Sequence, residues 1–190
     1  MTIKELREKV KISVFSRNDI AKLFPNEPEN QINTQISRMI KRGDLIGIKR
    51  GLYSFPNLKI DEFVLANKLS TPSYVSLESA LNVYEIIPDI AVNVTSVTTI
   101  TPKELNTPLG TYVYSKLAKD LFFGYKNVQD SEGGFFYQIA LPEKALLDYV
   151  YIRRIRGLTE SRIDMNRLNM RLLKKFGKFY PEWVRNVCGT

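Results

Sequence analysis

With 190 residues, of which 44% are hydrophobic, this chain can bury one good core or two small ones. Its formal net charge of +8 is unevenly spread: residues 1–60 carry 12 Lys and Arg against 6 Asp and Glu, residues 61–150 carry 6 against 11, and residues 151–190 carry 10 against 3. Two basic ends around an acidic middle favour a modular protein with a polyanionic partner. A soluble protein that merely has a high pI is the alternative.

Composition also limits the chemistry. The chain has no histidine, the commonest general base and metal ligand, and its single cysteine, Cys188, excludes an internal disulfide and a zinc site built from cysteines. No apolar run reaches the ~18 residues of a transmembrane helix, and the charged N-terminal segment differs from a signal peptide. We therefore expect a cytoplasmic protein that is not an enzyme, has no cofactor or metal, and has no membrane partner.

The first elements are two short helices. Apolar residues at helical spacing predict the first one: Ile3, Leu6 and Val10. Ser16 and Asp19 form a capping-box pattern, and Phe15 and Ile20 occupy the positions of a hydrophobic staple. These features predict a second helix that begins after Ser16 and ends before Pro25.

A longer basic helix and a hairpin follow. Pro28 suits the first turn of the helix, and Gly43 suits its C-terminal cap. Gly51 lies between two short apolar segments and suits a tight hairpin turn, after which Pro56 stops the strand. The buried stripe of the helix is predicted from its apolar spacing: Ile32, Ile36, Met39 and Ile40.

Beyond Pro56 the pattern changes, and we place a domain boundary between residues 58 and 59. The later helices are predicted over 60–69, 76–87, 142–155 and 159–176, and the strands over 91–100, 112–116, 121–125 and 135–141. The predicted fold class is α+β. An N-terminal winged helix-turn-helix over 1–58 precedes a mixed α+β C-terminal domain over 59–190.

The helix and hairpin before Pro56 indicate a double-stranded DNA partner. A helix fits the major groove, where Asn and Gln pair with adenine and Arg pairs with guanine, whereas phosphate contacts set affinity. The candidate DNA-binding residues on the helix are Asn30, Gln31, Asn33, Thr34, Arg38 and Lys41, and those on the hairpin are Lys49 and Arg50. Two alternatives are an ordinary solvated polar face and a protein-interaction module.

Three segments together resemble the AbiEi family of antitoxins from bacterial abortive-infection systems: IKRGDLIGIKRGLYSFP, SYVSLESAL and IALPEKALLDYVY. The resemblance implies an N-terminal winged helix that binds inverted repeats in its own promoter and represses its operon, as a monomer or homodimer on DNA. It implies a larger domain that counteracts a toxin of nucleotidyltransferase type. The DNA-binding role carries over to six residues: Asn33, Thr34, Arg38, Lys41, Lys49 and Arg50. A regulator without a toxin partner is the alternative within this resemblance.

Other patterns favour structural roles. Lys144 and Asp148 are four residues apart and predict an ion pair on a helix surface rather than a catalytic site. A hairpin turn is expected at residues 133–134. Aromatic residues that alternate along strands predict one core-facing sheet surface: Tyr112, Tyr114, Phe122, Tyr125, Phe135 and Tyr137. The basic tail after residue 153 is consistent with a solvated surface, a second DNA contact or a surface for an acidic partner.

Overall fold

The computed structural model describes residues 1–88, 91–130, 135–158 and 162–190. They form a mixed α+β protein that divides into two compact units. The first unit comprises Met1–Ile60 and Thr107–Leu109, and the second comprises Asp61–Asn106 and Gly110–Thr190. The glycine pair at 133–134 lies outside the described residues. In the part of the chain that is described, no helix is both long and apolar enough to cross a membrane.

The helices of the described residues are α1 (Ile3–Lys9), α2 (Arg17–Leu23), α3 (Glu29–Lys41), α4 (Glu62–Leu69), α5 (Leu77–Val83), α6 (Pro142–Arg153), α7 (Met170–Gly177) and α8 (Glu182–Cys188). The strands are β1 (Val14–Ser16), β2 (Ile46–Lys49), β3 (Leu52–Ser54), β4 (Ser73–Val75), β5 (Val94–Thr98), β6 (Lys103–Thr107), β7 (Gly110–Lys116), β8 (Tyr125–Gln129) and β9 (Phe136–Ala140).

The start of α2 is confirmed in atomic detail. The Ser16 hydroxyl accepts a hydrogen bond from the Asp19 backbone N–H, and the Asp19 carboxylate accepts one from the Ser16 N–H. This arrangement satisfies two backbone groups that would otherwise lack partners. Phe15 and Ile20, the expected staple pair, are both fully buried. Pro28 differs slightly from expectation, because it is the N-cap residue just before α3 rather than a member of its first turn.

One core holds the three helices of the first unit against its sheet. Its members are Leu6, Val10, Phe15, Ile20, Phe24, Ile32, Ile36, Met39, Leu45 and Phe55. The sheet has the order β1-β3-β2, and both of its pairings are antiparallel. The predicted hairpin is confirmed: β2 and β3 are joined through Gly51. The φ of Gly51 is 79°, a conformation that glycine adopts without strain and that other residues do not. Ile40, expected in the buried stripe, is instead 38% exposed.

The second unit is built on a six-stranded sheet of order β6-β7-β5-β4-β9-β8. β4 and β5 are antiparallel, as are β8 and β9, whereas β5 pairs parallel with β7 and β4 pairs parallel with β9. Helix α6 packs against α5, α7 and α8. On β7 the alternation was predicted correctly, since Tyr112 and Tyr114 are buried and their neighbours are not. Strand β6, which is polar and lies at a sheet edge, was not predicted.

The predicted strand over 121–125 is wrong. A short 3₁₀ helix spans Lys119–Leu121, and strand β8 begins only at Tyr125. Gly124 has a φ of 71°, which a strand residue does not adopt, and a Cβ there would lie 3.1 Å from Cγ of Lys144. The chain therefore turns closely over the Lys144 side chain at this point.

The predicted helix over 159–176 is also wrong in extent. Residues 159–161 lie outside the description, and from there a 3₁₀ helix at Met165–Arg167 precedes the separate helix α7. Asn169 starts α7 by accepting hydrogen bonds from the backbone of Arg171 and Leu172. Such an Asn cap marks a helix start rather than a helix interior. Helix α8 was not predicted.

Candidate nucleic-acid interface

Helix α3 presents a continuous polar face. Its apolar residues Ile32, Ile36 and Met39 are buried in the core of the first unit. The six candidate residues on the helix are all exposed: Asn30, Gln31, Asn33, Thr34, Arg38 and Lys41. Both hairpin candidates, Lys49 and Arg50, are exposed as well. The geometry therefore leaves every candidate side chain accessible to a partner.

Successive residues of an α-helix are rotated by about 100°, so the six candidate residues of α3 fall on different parts of its exposed surface. Asn30, Thr34 and Lys41 lie opposite the buried stripe and form the centre of the exposed face. Gln31 and Arg38 lie on one flank. The other flank carries Asn33 together with Ser37 and Ile40, and it borders the groove described next.

A groove of about 630 Å³ runs between α3, the start of α2 and the turn of the β2–β3 hairpin. Its polar and charged walls come from all three elements: Ser16, Arg17 and Asn18, then Asn33 and Ser37, and finally Arg50. Ile36, Ile40 and Tyr53 supply apolar surface. A groove with two guanidinium groups, amides, hydroxyls and an apolar floor suits an anionic ligand with an apolar part.

The hairpin turn is held against the start of α2 by the backbone. The Arg17 backbone N–H donates to the Gly51 carbonyl at 3.1 Å. Strand β1, which runs directly into α2, also pairs with β3 of the hairpin over three residue pairs. These bonds hold the backbone of the hairpin turn, which carries Arg50, beside the start of α2.

Arg17 has an incomplete set of partners. One terminal nitrogen of its guanidinium, Nη2, pairs with the Glu29 carboxylate, which belongs to the first turn of α3. Its Nε is buried and has no hydrogen-bond partner within the described part of the protein. The Arg17 side chain is 33% exposed, whereas Glu29 is 76% exposed. The guanidinium thus has one unused N–H donor, and in this conformation that donor is covered.

Thr34 is constrained by its own helix. Its hydroxyl donates to the Asn30 backbone carbonyl at 2.9 Å. The hydroxyl proton is consequently engaged, and the side chain offers a partner only oxygen lone pairs and a methyl group.

Four polar or charged residues of the groove were not among the candidate site residues from the sequence: Ser16, Arg17, Asn18 and Ser37. Ser37 follows Asn33 by four residues and Arg17 directly follows the helix cap, so both spacings are visible in the sequence. What the sequence does not show is that the hairpin turn comes to lie beside the start of α2.

A second polar cluster lies inside the second unit, and it corrects an expectation. Lys144 and Asp148 do form an ion pair, but both side chains are fully buried rather than on a surface. Lys144 Nζ also donates to the Tyr74 hydroxyl at 2.9 Å and to the Tyr180 hydroxyl at 2.6 Å. Asp148 accepts further hydrogen bonds from Tyr74, Tyr180 and Ser76. We call these five residues the buried polar cluster.

Burial shifts the proton equilibria of this cluster. Desolvation lowers the pKa of Lys144, although the Asp148 charge opposes that effect. Desolvation, followed by the Asp148 charge, raises the pKa of Tyr74 and of Tyr180. Since the donors of Lys144 are taken up and no member is open to solvent, the cluster is a closed structural network.

Neighbouring polar groups give no reactive site either. Burial raises the pKa of the Cys188 thiol to about 12, which keeps it protonated at neutral pH. Glu143 accepts a hydrogen bond from the Asn169 backbone at 2.8 Å and so positions the start of α7. Across the described residues, no three Cys, Asp or Glu side chains are grouped as a metal site.

Two basic residues of the tail form ion pairs with acidic residues of the second unit. Arg153 pairs with Glu78, and Arg167 pairs with Glu85. Four exposed basic residues occupy the solvent face of α7 and its end: Arg171, Lys174, Lys175 and Lys178.

No protein-family model matches this chain, and no curated protein matches it. The interpretation of the site therefore rests on its own geometry and chemistry.

Proposed function

We propose that the first unit is a winged helix-turn-helix that binds double-stranded DNA, with α3 as its recognition helix and the β2–β3 hairpin as its wing. The observation that carries the proposal is the placement of the Asn33 and Ser37 flank of α3 and of the Arg50 turn on either side of one groove, next to the exposed polar face of the same helix. In a winged helix the recognition helix enters the major groove while the adjoining elements hold the backbone.

Helix α3 and the β2–β3 hairpin have side chains suited to different parts of DNA. Asn30, Asn33 and Arg38 have the donor and acceptor patterns that distinguish base edges in the major groove. Lys41, Lys49 and Arg50 are cations suited to phosphate, where they add affinity without sequence preference. Of the core residues of α3, Ile32 and Met39 do not line the groove, and Ile36, which does, is only 2% exposed, so the helix can meet DNA without losing its packing.

We further propose that the whole chain is a transcriptional repressor of its own operon and an antitoxin of the AbiEi type. The bound protein occludes the promoter, and the second unit counteracts a nucleotidyltransferase toxin. The repressor role rests on the interface described above. The antitoxin role rests on the sequence resemblance, supported by a second unit with its own core and sheet.

Gel-shift titrations with a duplex from upstream of the gene test the DNA-binding proposal. Arg38→Ala should lower the preference for that duplex over a scrambled one by about 1–3 kcal/mol, because a base contact is lost. Lys49→Ala and Arg50→Ala should weaken binding to both duplexes and reduce the salt slope by about 1 each.

Glu8→Ala serves as the matched control, since Glu8 is an exposed residue of α1 outside the groove. It should leave duplex preference unchanged. Unchanged binding and salt dependence in all three test variants would show that the interface lies elsewhere. Binding that is insensitive to salt in the wild-type protein would instead favour a protein-interaction module.

A further inference from the structure

Beyond the proposed interface, and resting on it, we propose that the groove beside α3 binds a DNA backbone phosphate through Arg17, and that Glu29 competes with that phosphate for the same guanidinium. Glu29 would then lower the affinity of the protein for DNA. Arg17 becomes an additional phosphate-binding residue, and Glu29 becomes a residue that regulates it.

The first argument concerns the hydrogen-bond donors of the Arg17 guanidinium. Its Nη2 is engaged by the Glu29 carboxylate, while its buried Nε has no partner among the described residues. A guanidinium binds a phosphate best through two parallel N–H donors. Both two-donor edges of a guanidinium, Nε–Nη2 and Nη1–Nη2, include Nη2, so a phosphate bound through either edge competes with the Glu29 carboxylate for that nitrogen.

The second argument concerns the other groups around the groove. Asn18, Ser37 and Arg50 contribute an amide, a hydroxyl and a second guanidinium to the same walls. Ile40 and Tyr53 add apolar surface to the same groove. A deoxyribose-phosphate unit combines an anionic group with an apolar sugar face, which matches this lining better than a free inorganic anion does.

The third argument concerns the position of Glu29. It lies in the first turn of α3 and is 76% exposed, so its carboxylate is the negative charge that meets an incoming strand at this end of the proposed recognition helix. Such a weakly buried pair is worth little on its own and is easily exchanged for another anion. Pairing with Glu29 in the free protein therefore lowers phosphate affinity without locking the groove.

A double-mutant cycle measures this competition with the full-length protein and duplexes of the upstream sequence and of a scrambled sequence. Glu29→Gln should raise affinity for both duplexes by about three- to five-fold at low salt, because the competitor and its repulsion are removed. Arg17→Ala should weaken both and reduce the logarithmic salt slope by about 0.9, the value for one phosphate. In the Arg17→Ala background, Glu29→Gln should give less than half of its original increase.

Glu8→Gln is the matched control, because it changes the charge of the same unit by the same amount and Glu8 does not line the groove. It should raise affinity less than Glu29→Gln does. Equal increases from Glu29→Gln with and without Arg17, or an increase no larger than that from Glu8→Gln, would overturn the competition. If the wild-type protein binds DNA but the cycle shows no coupling between Arg17 and Glu29, the competition is wrong and the proposed function stands. If the wild-type protein binds neither duplex, the competition and the proposed function are both wrong.

Discussion

At the scale of single residues, the buried polar cluster contains two charged side chains that require each other's presence. Lys144 and Asp148 have no exposed surface, so each charge depends on the other and on the hydroxyls of Tyr74, Ser76 and Tyr180. A buried charge without its partner costs several kcal/mol, whereas an apolar pair of similar volume is often tolerated. The ion pair therefore contributes to stability only when both residues are present.

We predict that Lys144→Met and Asp148→Leu will each lower the free energy of unfolding by about 3–5 kcal/mol, because each leaves one uncompensated buried charge. The double variant should lose less than the worse single variant. Urea unfolding followed by circular dichroism measures the three values. Losses that simply add in the double variant would show that the two groups do not depend on each other.

The polar face of α3 provides a second residue-scale prediction. Thr34 offers its methyl group and oxygen lone pairs, since its proton is bonded to the Asn30 carbonyl. Thr34→Val keeps the methyl and should preserve affinity for the upstream duplex within about two-fold, whereas Thr34→Ser removes the methyl and should weaken it if a thymine methyl is the contact. Gel-shift titrations would contradict this assignment if Thr34→Val were the weaker binder.

At the scale of elements, one phenol links the last helices to the rest of the second unit. Tyr180 lies between α7 and α8, is 3% exposed, and bonds to both charges of the buried ion pair on α6. Apolar residues of α7 and α8 complete the contact: Leu173, Phe176, Val184 and Cys188. The phenol is the polar part of an otherwise apolar docking surface.

We predict that Tyr180→Phe will cost about 1–3 kcal/mol of stability, because two buried hydrogen bonds lose a partner. Hydrogen exchange should accelerate in α7 and α8. Tyr84→Phe is the control: burial raises the pKa of Tyr84 to about 12, and its hydroxyl donates to the Ala140 carbonyl of β9 at 2.9 Å. Faster exchange in those helices in both variants would contradict a specific role for Tyr180.

Elements set by local chemistry could be predicted from the sequence. The capping box of Ser16 and Asp19 and the Gly51 turn each involve a few consecutive residues, and both are present in the structure. The burial of Lys144 could not be predicted, because its partners Tyr74 and Tyr180 are 70 and 36 residues away. The groove escaped prediction for the same reason, since it requires the hairpin to lie beside the start of α2.

At the scale of the whole molecule, the division into two compact units predicts separable roles. Met1–Ile60 contains the complete proposed DNA interface, and the buried polar cluster lies wholly within the second unit. Each unit has its own sheet. Loss of a surface contact in the first unit should therefore leave the fold of the second unit intact.

We predict that Arg50→Ala will relieve repression of an operon reporter while retaining protection of cells from the proposed nucleotidyltransferase toxin. Arg50 is exposed, so the substitution removes a phosphate contact without disturbing a core. Reporter output and survival after toxin induction are measured in the same strain, with Glu8→Ala as the control. Loss of protection together with repression would mean that neutralisation depends on DNA binding.

The pairing of β1 with β3, together with the bond from Arg17 to Gly51, has a thermodynamic consequence for association. A hairpin already held along β3 and at its turn loses little conformational freedom when it meets a partner. Calorimetry should consequently report a heat-capacity change of binding that follows from the surface covered alone, without the larger negative value that accompanies folding on contact. The hairpin is ordered when the protein folds, so the proposed binding of DNA would require little further ordering of this element.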